Sequence, residues 1–121
     1  MSSKEEKLNE PLDDLDNVQG IKGAAVVRRD GLLIASNLGQ DIDDDQVGAM
    51  TASTVGSGET ASEALSMGDV DQVTVESDNG KLIATGAGDE AILAILTKSD
   101  VNMGLIKVEM SDAVDKVKKV L

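Results

Sequence analysis

The sequence predicts an α+β domain with elements in the order α-β-β-α-β-β-β-α, and three observations carry that prediction. Asp30-Gly31 and Asn79-Gly80 each lie between apolar runs, a strong short-range signal of a β-hairpin. The run Ala91-Ile92-Leu93-Ala94-Ile95-Leu96 is apolar at every position, as a strand covered on both faces requires. Residues 43–67 lack both patterns and read as one long helix built from small side chains.

With 121 residues, the chain has room for one domain and one core. That core must form without Phe, Tyr or Trp, so Val, Ile, Leu, Met and Ala supply its apolar area. Residues 1–9 are polar and charged and are expected as a flexible segment ahead of a single domain over 10–121. Ser3 and Glu6 have the spacing of a capping box, but Pro11 would interrupt a helix continuing from there. Pro11 instead suits the first turn of a short helix through Asn17, with Leu8, Leu12 and Leu15 spaced as one buried stripe and Gly20 as its end.

Residues 21–36 read as a hairpin turning at Asp30-Gly31, with positive φ expected at both turn residues. Asp43 then begins the long helix with Gln46 as capping partner, Asp44 and Asp45 lie at the positive end of its dipole, and Gly68 is its expected C-terminal cap. Between Gly48 and Ser66, 14 of 19 residues are Gly, Ala, Ser or Thr. Gly48, Gly56 and Gly58 each cost about 1 kcal/mol relative to alanine inside a helix, so another surface must come very close. At 100° per residue, Val47, Met50, Thr54, Ala61 and Leu65 form the stripe expected to face the sheet. Opposite lie Asp45, Ala49, Ala52, Gly56, Glu63 and Met67, flanked by Gly48 and Ser66 on one side and by Ser53, Thr60 and Ala64 on the other. Solvent-facing helix positions favour Glu, Lys, Gln and Arg, so this small, lightly charged side is expected to receive another protein.

Strands over 72–76, 81–85 and 91–97 follow, the first pair joined by Asp78-Asn79-Gly80 and the second by a turn around Gly86-Ala87-Gly88-Asp89. Val73-Thr74-Val75-Glu76 alternates, unlike the continuous run of the last strand. A final helix over 102–121 carries Met103, Ile106, Met110, Ala113, Val114, Val117 and Leu121 as a stripe for the sheet. Lys116, Lys118 and Lys119 complement the negative end of its dipole and read as structural.

A charge of −12 opposes nucleic acid and anionic membrane surfaces, and the lack of aromatics removes base-stacking platforms. Without cysteine or histidine, disulfides, thiolate sites and the commonest metal ligand and general base are excluded. No apolar run approaches a membrane span and the N-terminus lacks a signal-peptide segment, so the expected location is cytoplasmic, without membrane insertion. Gly56-Ser57-Gly58-Glu59-Thr60 is not a phosphate loop, because no lysine lies between Lys22 and Lys81. Asp41, Asp43, Asp44 and Asp45 lack the spacing, glycine and terminal glutamate of an EF-hand and are explained by helix capping. Nothing raises the pKa of any one carboxylate pair above the others. Arg28 and Arg29, the only arginines, read as hairpin-edge charges, one of them pointing out of the sheet. No metal, cofactor or catalytic residue is expected.

With the element order, the segments 20–36 (GIKGAAVVRRDGLLIAS) and 102–110 (NMGLIKVEM) resemble a roadblock/dynein light chain domain, and the resemblance covers nearly everything after Pro11. It implies an α/β sandwich of profilin-like and longin-like kind: a five-stranded antiparallel sheet with the long helix on one face and the terminal helices on the other. It further implies dimers in which the long helices lie side by side and the third strands, here Gln72, Val73, Thr74, Val75 and Glu76, join the sheets across a two-fold axis. Family members serve as platforms or regulators of Ras-like small GTPases, so the implied reading is a non-catalytic homodimer whose GTPase partner holds the nucleotide and Mg²⁺. Ala49, Ala52, Gly56, Thr60 and Glu63 are then the helix residues expected at the dimer or GTPase contact. An arginine finger from Arg28 or Arg29 is not expected, since the family does not generally depend on one. The alternatives are a structural adaptor without effect on nucleotide turnover, and a small-ligand sensor, which the missing aromatics disfavour.

Overall fold

The computed structural model describes residues 3–121. Its elements follow the expected order: α1 (Lys4–Asp16), β1 (Ile21–Arg28), β2 (Leu33–Asn37), α2 (Asp44–Ala64), β3 (Gln72–Ser77), β4 (Gly80–Gly86), β5 (Ala91–Thr97) and α3 (Met103–Val120). All strand pairs are antiparallel in one five-stranded sheet of order β2-β1-β5-β4-β3. The all-apolar β5 takes the centre, where helices cover both of its faces, and β3 forms an edge.

Alternation along the strands divides the interior unequally. Ala24 and Val26 of β1, Ile83 of β4, and Leu93 and Ile95 of β5 join Leu8, Leu12 and Leu15 of α1 and Ile106, Met110, Ala113 and Val117 of α3 in one core. On the other face, α2 contributes only Val55 to a cluster with Ala84 and Ile92. Lys116 donates to Asp14 at 3.0 Å across the α1–α3 seam, and this hydrogen bond, with the carboxylate's charge, raises the lysine's pKa.

Helix α1 begins before Pro11, contrary to the sequence expectation. The Ser3 hydroxyl accepts from the Glu6 N–H at 3.1 Å, and the helix runs through Pro11 to the Asn17 cap. Pro11 forfeits one backbone bond, but it is buried alongside Leu8, Leu12 and Leu15, and that packing offsets the loss. Thus, of the segment expected to be flexible, residues 4–9 are helical, while Met1 and Ser2 lie outside the described residues.

Both hairpins form, with different turn chemistry from that expected. Gly31 alone has positive φ in the first (+96°). Its N–H bonds Arg28 O at 2.9 Å, and Arg28 N–H bonds Leu32 O at 2.8 Å, which makes a three-residue loop ending in a left-handed glycine. In the second, Ser77 pairs with Gly80, so Asp78-Asn79 is the loop and Gly80 already belongs to the strand. A Cβ at Gly80 would lie 2.7 Å from Thr97 O on β5, which is why a glycine stands there.

Helix α2 is capped at its start as expected, with Asp43 accepting from Gln46 N–H at 3.2 Å. At its end the helix is closed by left-handed Ser66 (φ +55°), two residues before Gly68, which also has positive φ (+89°). Met67 N–H bonds Ser62 O at 2.8 Å and Ser66 N–H bonds Glu63 O at 3.1 Å, the paired closure of a Schellman motif. Gly68 instead accepts from the Ser62 hydroxyl through its carbonyl at 2.6 Å.

The face that α2 turns to the sheet is a second correction. Gly48, Thr51, Val55 and Ser62 are its buried residues, while Met50 and Leu65, expected there, are 53% and 69% exposed. The reason lies in the sheet. The register places Ala25, Ala94 and Ala84 side by side across β1, β5 and β4, so the floor is shallow and the helix settles close to it. A Cβ on Gly48 would collide with the carbonyl of Gly31, and one on Gly58 would lie 2.8 Å from Val73 Cγ2. The surface that comes close to these two glycines is therefore the chain's own. The buried Thr51 hydroxyl has no hydrogen-bond partner among the described residues.

Candidate functional site

With its small residues against the sheet, α2 turns its larger apolar residues outward. Val47 and Thr54 are half-buried, Met50, Ala61 and Leu65 are exposed, and Met67, just past the helix, is 71% exposed. The spacing of Val47, Met50, Thr54, Ala61 and Leu65 places them on one flank of the helix, and the turn after the helix brings Met67 beside Ala61 and Leu65. Gly58, Ala61, Leu65 and Met67 there meet Val73 and Thr74 of β3 in an open groove of about 650 Å³. Because β3 pairs only with β4 among the described residues, its outer edge offers unpaired backbone groups beside this apolar flank.

The sequence-predicted residues fall into two sets. Gln72, Val73 and Thr74 are half-buried and Val75 and Glu76 exposed, all on the free edge strand as expected. Ala49, Gly56, Thr60 and Glu63 are exposed, and Ala52 is half-buried. These helix residues lie away from the apolar flank, Asp45, Ala52, Gly56 and Glu63 aligning on the flank opposite it. The structure therefore does not bring the two predicted sets together in one patch. Sequence reasoning missed Met50, Ala61 and Leu65, which it had turned inward. The alanine row in the strands was the signal, since a shallow floor calls for the smallest helix face.

Arg28 bonds Asp30 at 2.6 Å. Arg29 forks onto both Glu59 oxygens at 2.9 Å and donates from Nε to Asp89 O at 2.7 Å, tying the first hairpin loop to α2 and to the β4–β5 turn. Both arginines are thus engaged within the chain. Among the described residues, no group of acidic side chains has a metal-binding arrangement, and no helix is long and apolar enough to cross a membrane.

The family model for the Roadblock/LC7 domain matches residues 7–97. Protein MJ0310 of Methanocaldococcus jannaschii is 42% identical over 105 residues, which cover 87% of this chain and 91% of that protein. Among solved structures, Myxococcus xanthus MglB superposes with a TM-score of 0.89 at 21% identity, covering 99% of this chain and 91% of that one. Acanthamoeba castellanii profilin II superposes at 0.60 and 16% identity, covering 97% and 98% respectively, a likeness of fold that extends to the profilins.

Proposed function

The chain belongs to the Roadblock/LC7 domain family, and on that premise we propose that it is a homodimeric docking platform for a Ras-like small GTPase, with no catalytic groups of its own. The observation that carries this reading is the apolar flank of α2 beside the free edge of β3. Exposed branched and thioether side chains next to an unpaired strand edge are an aggregation hazard unless another chain covers them. A second copy is well suited: two-fold pairing sets each apolar flank against its counterpart and lets the two β3 strands share one ladder.

The GTPase part of the proposal rests on membership of the family. Regulation would then work through surface contact, with nucleotide and Mg²⁺ held by the partner. The place of action proposed is the cytoplasm.

Light scattering tests the dimer. The expected mass is twice 12.5 kDa, and a single-chain mass at high micromolar concentration would sink the proposal. A pull-down of Ras-like GTPases loaded with GDP or a GTP analogue tests the second part. Preference for one nucleotide state identifies a regulator, whereas indifference favours the adaptor alternative.

A further inference from the structure

Helix α2 is held to the sheet by less than α1 or α3. Its buried face consists of Gly48, Thr51, Val55 and Ser62, and of these only Val55 joins an apolar cluster, on Ala84 and Ile92. On the other side of the sheet, α1 contributes Leu8, Leu12 and Leu15, and α3 contributes Ile106, Met110 and Val117. Stabilisation by burial scales with apolar area, so the α2 layer gains least. Two side-chain ties link α2 to the strands among the described residues, Glu59 to Arg29 at 2.9 Å and Asp44 to Ser36 at 3.3 Å, both exposed. Exposed ties add little.

Thr51 is the telling residue. Its side chain lies on the face turned to the sheet with 0% exposure, and its hydroxyl has no partner among the described residues. An unmet hydroxyl disfavours only the state that buries it, and water satisfies the group once the helix lifts. The other layers are complete without α2, since the strands pair with one another and α1 and α3 cover the opposite face. Residues 38–43 and 65–71, which join α2 to β2 and β3, have roughly 20 Å of reach each when extended.

We propose that α2 opens from the sheet as one unit while the sheet, α1 and α3 stay folded, and that the buried Thr51 hydroxyl promotes this opening. The inference concerns the single chain and does not rest on the docking reading. It places the apolar flank of α2 on the layer that opens, where binding elements are commonly found.

Hydrogen exchange read by mass spectrometry tests the opening. The full chain is measured as wild type and as Met50→Lys/Leu65→Lys, which takes away the apolar contact proposed between copies. In the latter, amides along α2 exchange together, at least tenfold faster than those of α3 and β5. In that background Thr51→Val, a change of similar shape that removes the hydroxyl, slows exchange across α2 by about tenfold and leaves α3 and β5 unchanged. Gly56→Ala, whose methyl group enters open space, slows the same amides about fivefold and keeps the test available should the Thr51 variant not fold. Exchange in α2 as slow as in α3, or fast only at the helix ends, overturns the inference. Equal slowing of every element by Thr51→Val or Gly56→Ala also overturns it, because α2 would then open only with the whole fold. No slowing of α2 by Thr51→Val overturns the role given to the hydroxyl.

Discussion

Gly48 and Gly56 are the same residue type two turns apart in one helix, yet their surroundings give substitution opposite signs. At Gly56 a methyl group enters open space, so Gly56→Ala removes the helix penalty of glycine and is expected to stabilise the fold by about 1 kcal/mol. At Gly48 it would be driven into the Gly31 carbonyl, and repacking of helix against turn is expected to cost about 2 kcal/mol net. Urea unfolding of the two variants checks the pair, and shifts of the same sign would contradict this account of α2. Ser66 obeys the same local logic in reverse, for it holds a left-handed conformation that glycine adopts without penalty. Arg29 shows why residue type alone did not reveal a role. Its position at a hairpin tip suggested a free charge, while three hydrogen bonds it donates to neighbours distant in sequence fix it as a strut.

Met50 and Leu65 of α2 are exposed in the single chain, so Met50→Lys/Leu65→Lys is expected to leave the helix content intact while removing the apolar contact proposed between copies. With four side chains lost from the interface at about 1 kcal/mol each, the dimer should weaken by roughly 1,000-fold. Light scattering and circular dichroism together decide the matter, since an unfolded variant would return this stripe to the sheet. The element order was legible in the sequence because hairpin turns, the continuous β5 run and the α3 stripe are local patterns. The rotation of α2 about its own axis was not, because two stripes competed and hydrophobicity favoured the wrong one. What decided it was the alanine row from three strands, a feature of sheet register that becomes visible only once the strands are paired. The start of α1 was hidden for a related reason: the burial that makes Pro11 tolerable comes from β1, β2 and α3. Of the candidate site, the β3 edge was readable from its alternating pattern, and the apolar flank was read with its residues grouped but facing inward.

At the scale of the molecule, the two sides of the sheet differ in both packing and charge. The α1–α3 side packs Leu, Ile and Val of three strands against apolar stripes of two helices, while on the α2 side Val55 is the only buried branched apolar residue the helix sets on a floor rich in alanine, among the described residues, so α2 is the more thinly anchored layer. The α2 side also draws on residues 30–80, which include no Lys or Arg, and each chain carries a net charge of −12. Two such copies repel as they approach, so the association proposed between them must rest on the uncharged apolar flank and the β3 edge. Added salt screens that repulsion within a Debye length of about 10 Å at 0.1 M and leaves the apolar contact undiminished. Between 50 and 500 mM NaCl, the dissociation constant of the proposed homodimer is therefore expected to fall by about threefold. Sedimentation equilibrium measures that constant. A homodimer that loosens with salt would mean that ion pairs, rather than the apolar flank, hold the copies together.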